Sequence, residues 1–463
     1  MKGSTLLQLL EAMSVYRRNR LRKFLLSPYH NQREDVSDLF EHIDRHLGSD
    51  WAPLAKEPAF LAVYPGRPFD EQQLRYLMSF LLKAIEQFLV VEQLNEDEIL
   101  AQRLLLKGYR ESAGPKSFQK ALRRARQLED KAERAELFYH HRFAVEREEY
   151  LFHAGRQRDA PSQLPRLNAA LDEAFLVSRL KQGCLLSAHQ AVFREEEEGA
   201  GLLPLLMGFL EGSRYLANPL LAAYFYYLKA VEAPSEVRYY QALKELILPG
   251  FLPPEERRPL FLLAINYGIR QFNDGQETYL KELFELYRTG LEEELLLPEG
   301  RLSRFAFKNI AAIALRLRQF EWAEGFIKEY QQYLPPRHRE NYVHFCLSKL
   351  RFEQGRLGQA MDRLRQVEYE DLFLSIDAKV MLMKIYYELQ EYDALDSFLR
   401  SFERFLRRHR ELTYHRENYL NVIYFTRKLL EMNPYDKEAR AGLRREMEAA
   451  PTLTERAWLL ERV

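Results

Sequence analysis

Apolar residues recur three and four positions apart along almost the whole chain, and the every-second-residue alternation of a half-buried strand is nearly absent. Phe80, Ala84, Ile85, Phe88 and Leu89 share one apolar helix face, whereas Gln119, Arg123, Arg126 and Glu129 share a face of the solvated kind. Thr, Val and Ile nowhere gather into a strand run, so the pattern predicts an all-α chain. Up to about residue 94 the helices are short, punctuated by Ser27-Pro28, Pro53, Pro58 and Pro65-Gly66. Proline lacks a backbone donor and disfavours helix at the residue before it, so each of these forces a turn. Between 95 and 300 the expected loops lie at Gly114-Pro115, Arg156 to Pro165, Glu195 to Gly201 and Pro249 to Pro259. The polar stretch from Arg156 to Pro165, with two prolines, is the expected linker.

From residue 301 the helices acquire a period. Phe320-Glu321-Trp322-Ala323, Leu357-Gly358-Gln359-Ala360 and Tyr392-Asp393-Ala394-Leu395 occupy the same place in three units, 37 residues apart (323 to 360) and then 35 (360 to 395). Phe307, Ile310, Ala311 and Ala314 would form the inner face of a first helix, with Ile327 and Tyr330 on the second and Pro335 closing the unit. Leu347, Ser348, Gly355, Leu364 and Val367 repeat the scheme, as do Leu382, Met383, Tyr386, Leu399 and Phe402. Arg351 departs from it at a core position, and Leu395 replaces the small residue. A fourth pair is expected from Asn418 to Ala449, with Pro434 starting its second helix. Thr452-Leu453-Thr454-Glu455 has the spacing of a capping box before a final helix carrying Trp458 and Leu459.

These three units resemble tetratricopeptide repeats, whose helix pairs have a period of about 34 residues. The resemblance covers about a third of the chain. It implies an all-α fold with a right-handed α-solenoid of stacked antiparallel helix pairs, preceded by an irregular helical region. The expected divisions are 1–94 (N-terminal helical region), 95–300 (middle helical array), 301–449 (repeats) and 450–463 (capping helix). The stretch Arg22 to Asn31, around Ser27-Pro28, resembles the opening of a group of uncharacterised bacterial helical proteins, a resemblance that brings no activity with it.

Composition adds exclusions. Positive and negative side chains balance at 68 each, so no global field draws the chain to nucleic acid or anionic lipid. The only cysteines, Cys184 and Cys346, belong to no CxxC or Cys/His cluster, which argues against a disulfide framework or zinc module and fits a cytoplasmic location. Leu6, Leu7, Leu9 and Leu10 suggest a signal peptide, but Glu11 and the basic run from Arg17 break it too early. Leu202 to Leu228 is interrupted by Glu211, Arg214, Pro204 and Pro219, and reads as two buried core helices instead of a membrane span.

The search for chemistry assigns no catalytic residue, no cofactor and no metal ligand. Gly108 to Ser117 misses a phosphate loop because Pro115 stands between Gly114 and Lys116. His42 and His46 share a helix face without an evident third ligand, and Glu195 to Glu198 reads as a solvated run. Two basic clusters, Arg17, Arg18, Arg20, Arg22, Lys23 and Arg404, Arg407, Arg408, Arg410, could meet phosphates, with Tyr16 or Phe24 stacking on bases. In the repeat register, Lys308, Asn309 and Arg316 face the concave groove, with Lys349 and Lys384 at equivalent places. Lys308-Asn309 resembles part of the carboxylate clamp of some tetratricopeptide domains; Phe345, Cys346, Val380 and Met381 stand where its other polar members would be. The expectation is therefore a non-enzymatic scaffold or adaptor whose mixed apolar and basic groove takes an acidic or amphipathic peptide of a partner protein. The alternatives are a nucleic-acid-associated protein using the Arg clusters, and an enzyme whose site no motif reveals.

Overall fold

The computed structural model describes every residue except 2, 49–50, 113, 155–162, 194–200, 249–250, 368–370, 410–412 and 434, and all side chains there except those of 191–193 and 413–415. Among the described residues there are twenty-three α-helices, four short 3-10 helices and no strand. No described helix is long and apolar enough to cross a membrane. The chain divides into two units, Met1–Gly183 with Ala200–Leu221, and Cys184–Gly199 with Ala222–Val463.

In the first unit, helices Thr5–Ala12, Val15–Leu25, Glu34–His46, Lys56–Val63 and Glu71–Glu96 close around a core that includes Leu10, Leu21, Leu39, Phe40, Phe60, Leu81 and Ile85. The Ser4, Ser14 and Asp70 side chains each accept a bond from a backbone N–H of the first turn, satisfying donors the helix leaves over. Leu74, Leu77, Leu81, Ala84, Ile85 and Phe88 form the buried stripe of Glu71–Glu96. Phe80, expected on that face, is 44% exposed and lies beneath the Arg33 guanidinium at 4.2 Å. It sits about 100° around the helix from Leu81, at the stripe's edge.

Helices Glu98–Ser112, Pro115–Glu129 and Glu136–Ala154 share a second core, in which Phe118 and Phe152 stack at 3.8 Å. Pro115 takes the first helical position, where its missing N–H costs nothing. The face from Gln119 to Glu129 is not wholly solvated. Of the four, only Arg123 is exposed, while Arg126 turns onto the Glu149 carboxylate and Glu129 onto a cavity. Most of the Arg156 to Pro165 linker and of the Glu195 to Gly201 loop lies outside the described residues; Leu164 and Pro165 already belong to helix Leu164–Phe193. The apolar stretch from Leu202 does form two helices, Leu203–Leu210 and Pro219–Glu232. The first is not a core helix: it buries Met207 and Leu210 but leaves Leu205 73% and Phe209 59% exposed. Eight residues give it only two turns, enough for one narrow buried edge.

In the second unit, the loop expected to reach Pro259 ends earlier, because helix Pro254–Asn273 carries Pro259 within its second turn. That helix packs on Val237–Ile247 and Tyr279–Glu292 through Tyr240, Tyr267 and Tyr279, whose rings lie 5.1 to 5.9 Å apart. The following helices are Arg304–Arg316, Phe320–Tyr330, Pro336–Glu353, Leu357–Leu364, Leu372–Glu388, Tyr392–Arg408, Thr413–Glu431, Lys437–Ala449 and Arg456–Leu460. Pro336–Glu353 packs on Leu357–Leu364 and also on Arg304–Arg316 and Leu372–Glu388. Ala323, Ala360 and Leu395 are each wholly buried. Pro434 lies outside the described residues.

Three of these pairs turn in the same way. Arg318, Gly355 and Gln390 have φ of 58°, 75° and 58°, 37 (318 to 355) and 35 (355 to 390) residues apart. In each turn the next residue's N–H reaches back to the last helical turn: Gln319 to the Ala314 carbonyl at 2.9 Å, Arg356 to Arg351 at 2.8 Å, Glu391 to Tyr386 at 3.0 Å. This six-to-one bond with a left-handed residue is the Schellman stop, and it sends the chain straight into the next helix. Gly275, with φ 93° and a Gln276 to Gln271 bond of 3.0 Å, makes the same stop one pair earlier.

Candidate functional site

Cations from three helices converge on one cavity of about 320 Å³ in the second unit. Arg304–Arg316 supplies Lys308, Asn309 and Arg316; Pro336–Glu353 supplies Phe345, Lys349, Phe352 and Glu353; Leu372–Glu388 supplies Asp377, Val380, Met381 and Lys384. Tyr419, Thr454 and Glu455 complete the rim. All five groove residues singled out in the sequence therefore lie together, with Phe345, Val380 and Met381 as apolar wall.

Their charges are unequally compensated. Lys308 bonds Asp377 at 2.5 Å, and Lys384 bonds Glu455 at 2.8 Å while lying over the Phe352 and Trp458 rings at 5.1 and 5.6 Å. Arg316 makes a long, exposed pair with Glu277 at 3.6 Å, and Asn309 bonds the Tyr287 hydroxyl. Lys349 is half-buried and has no carboxylate within 4.0 Å among the described residues. Burial works against ionising Glu455, but Lys384, Lys349 and Arg316 outweigh it and hold its carboxyl below the ordinary carboxylate value.

Sequence reading missed the three acids that line the cavity, Glu353, Asp377 and Glu455. Asp377 lies seven before Lys384 on one helix, a same-face spacing that could have flagged it as a groove residue. Glu455 was assigned to a capping box, and the structure corrects this. It is itself the left-handed residue before Arg456–Leu460, with φ 58°, and its side chain makes no cap bond because the carboxylate goes to Lys384. Arg351, out of place in the repeat pattern, bonds Glu324 of the preceding pair at 3.1 and 3.3 Å.

The N-terminal basic cluster is distributed otherwise. Arg18 pairs with Asp44 at 2.5 Å, Arg22 with Glu41 and Asp44 at 2.5 Å each, and Arg20 with Glu92 at 2.8 Å. Arg17 and Lys23 have no carboxylate within 4.0 Å among the described residues. Tyr16 is exposed, but Phe24 is a core ring between His30 and Phe88, at 4.0 and 5.6 Å, and offers no face to a base. Arg407 pairs with Glu403 at 2.8 Å, and Arg410 lies outside the described residues. His42 and His46 each spend a ring nitrogen on a backbone carbonyl, at 2.9 Å. Among the described residues no three His, Cys, Asp or Glu side chains are grouped to hold a metal ion. Cys184 and Cys346 are buried free thiols, and burial pushes both pKa values up, that of Cys346 to about 12.

No family model, no curated protein and no solved structure matches this chain.

Proposed function

We propose that residues 301–449 form a right-handed solenoid of tetratricopeptide-like helix pairs, capped by 450–463, that serves as an adaptor for a partner protein. The recurring Schellman stops, the buried residues at the 323, 360 and 395 places, and the packing of Pro336–Glu353 on the first helices before and after it support that architecture. The ligand is an acidic, amphipathic peptide segment. The observation that carries this reading is Lys349: a half-buried ammonium with no carboxylate within 4.0 Å among the described residues, beside an apolar wall, in a cavity whose other two lysines are paired with its own acids. An ammonium there gains most from a carboxylate brought by a ligand, since charge pairs strengthen as water is excluded. The two buried, unpaired thiols fit a reducing cytoplasmic setting. Nucleic-acid binding through Arg17 to Lys23 has less support, because three of those five cations already serve carboxylates of their own unit.

The test is selection from a random peptide display library with the full chain and with Lys349→Glu. Enrichment of sequences with Asp or Glu next to apolar residues, lost in Lys349→Glu, is the expected result. Binders without acidic bias, or the same peptides from both proteins, would overturn the assignment.

A further inference from the structure

A second cavity, about 760 Å³, lies within the first unit and owes nothing to the peptide reading above. The end of Pro115–Glu129, the inner faces of Glu136–Ala154 and Leu164–Phe193, and the 3-10 turn Arg214–Ala217 surround it. Ligand sites fall in the range of about 300–1,000 Å³.

Two sets of groups of opposite sign line it: buried carboxylate oxygens, and the exposed guanidinium groups of Arg134 and Arg214. Glu146 is 5% exposed; one of its oxygens accepts from Arg166 at 2.8 Å, but its Oε2 is buried without a hydrogen-bond donor. Glu129 Oε1 is buried and likewise lacks a donor. A buried acceptor left unbonded costs about 1–3 kcal/mol, so folded chains normally supply a partner from protein or solvent. Burial and then the nearby Glu146 charge push the Glu129 pKa up to about 7, against the pull of Arg126 and Arg142 and with a smaller push from Asp130. A further cation at these oxygens would relieve that opposition. On the same cavity wall, Arg142 is spent on Glu173 at 2.7 Å, but Arg134 and Arg214 have no carboxylate within 4.0 Å among the described residues. Their guanidinium forks match a carboxylate or a similar planar anion.

We propose that this cavity binds a small zwitterion of the amino-acid type, with its ammonium group at Glu129 and Glu146 and its carboxylate at Arg134 and Arg214. An ammonium carries three donors, enough in number for both orphaned oxygens, and among the described residues no three acidic, His or Cys side chains are grouped to hold a metal ion. Tyr139, held by Asn218 at 2.7 Å, and Tyr215, held by Asp172 at 2.7 Å, also line the cavity.

The experiment uses the full chain, thermal-shift screening and calorimetry. The probes are free α-amino acids in acidic, basic, aromatic and aliphatic mixtures, and triglycine, each alongside its N-acetylated counterpart. At least one zwitterionic probe should raise the melting temperature with concentration, and its N-acetylated form should not. Glu129→Gln and Arg134→Ala should each weaken binding at least tenfold. Arg134 is exposed, so its variant keeps the test valid if Glu129→Gln folds poorly. Binding should also release protons as Glu129 ionises, read as a dependence of the apparent enthalpy on buffer. Failure of every probe, equal binding of N-acetylated forms, or wild-type affinity in both variants would overturn the proposal.

Discussion

Glu129 sits where burial and a neighbouring carboxylate both oppose its charge, and stability must record this. Its pKa rises from the ordinary 4.5 to about 7, so the folded chain holds the proton more tightly than the unfolded one. The contribution is complete below 4.5 and is lost as pH rises through 7. Glu129→Gln should therefore match wild type near pH 4.5 and melt at a higher temperature at pH 8; a constant difference across that range would count against the assignment. Nothing in the sequence distinguishes this carboxylate from dozens of others, because its pKa depends on Glu146, 17 residues on (129 to 146), and on burial that no spacing reveals. Phe80 shows the same limit: period alone cannot decide which side chain at the edge of an apolar stripe is covered. Glycines separate by the same kind of local fact. A Cβ on Gly290 would meet Phe261 and Leu296 at 2.8 and 2.9 Å, whereas one on Gly325 would meet nothing within 4 Å. Both are helical, so alanine gains about 0.5–1 kcal/mol of propensity at either site. Gly325→Ala should keep that gain, and Gly290→Ala should lose it to overpacking of about 1–3 kcal/mol. Melting curves of the two variants, moving in opposite directions, check this.

Helix pairs were legible where a small residue had to lie at a close contact. Ala323 and Ala360 mark the turn-proximal contact of two units, and Leu395 keeps the place although it is larger. The residue in the left-handed stop was less legible, since only Gly355 announces itself, while Arg318 and Gln390 occupy the same conformation with side chains that disfavour it. Those two stops persist because the six-to-one bonds and the docking of the next helix fix them. A non-glycine residue there costs about 1–2 kcal/mol, and glycine loses about 0.5–1 kcal/mol of unfolded-chain entropy. Arg318→Gly and Gln390→Gly should thus each stabilise the second unit by about 0.5–1 kcal/mol, while Gly355→Ala should destabilise it. Denaturant midpoints followed by circular dichroism measure both signs. If Arg318→Gly proves neutral or harmful, its side chain holds the turn in a way the left-handed geometry does not account for.

At the scale of the molecule, acids and bases are equal in number, so recognition depends on where compensation is left incomplete. The cation cavity of the second unit is one such place, and its final segment already puts a carboxylate there. Glu455 reaches Lys384, and the following turn is fixed when Trp458 and Arg462 both donate to Glu388, at 3.0 and 2.6 Å. Under the adaptor reading this internal acid competes with an acidic peptide. Glu455→Gln removes the competitor, leaves Lys384 and Lys349 both uncompensated, and should tighten binding of the selected peptides several-fold, with a steeper loss in salt. The same substitution should lower the melting temperature of the free chain, because a partly buried ammonium loses its partner, and saturating peptide should restore it. Since Lys384, Lys349 and Arg316 hold the Glu455 pKa below 4.5, its stabilising contribution is present above that value and fades as pH falls through the depressed one. The difference between wild type and Glu455→Gln should accordingly hold from pH 7 to 5 and disappear only in stronger acid. Unchanged or weaker peptide affinity in Glu455→Gln would mean that the carboxylate helps to build the site instead of occupying it, and Lys384→Gln tells these apart: in an occupied site it weakens peptide binding in both backgrounds, in a built one only where Glu455 remains.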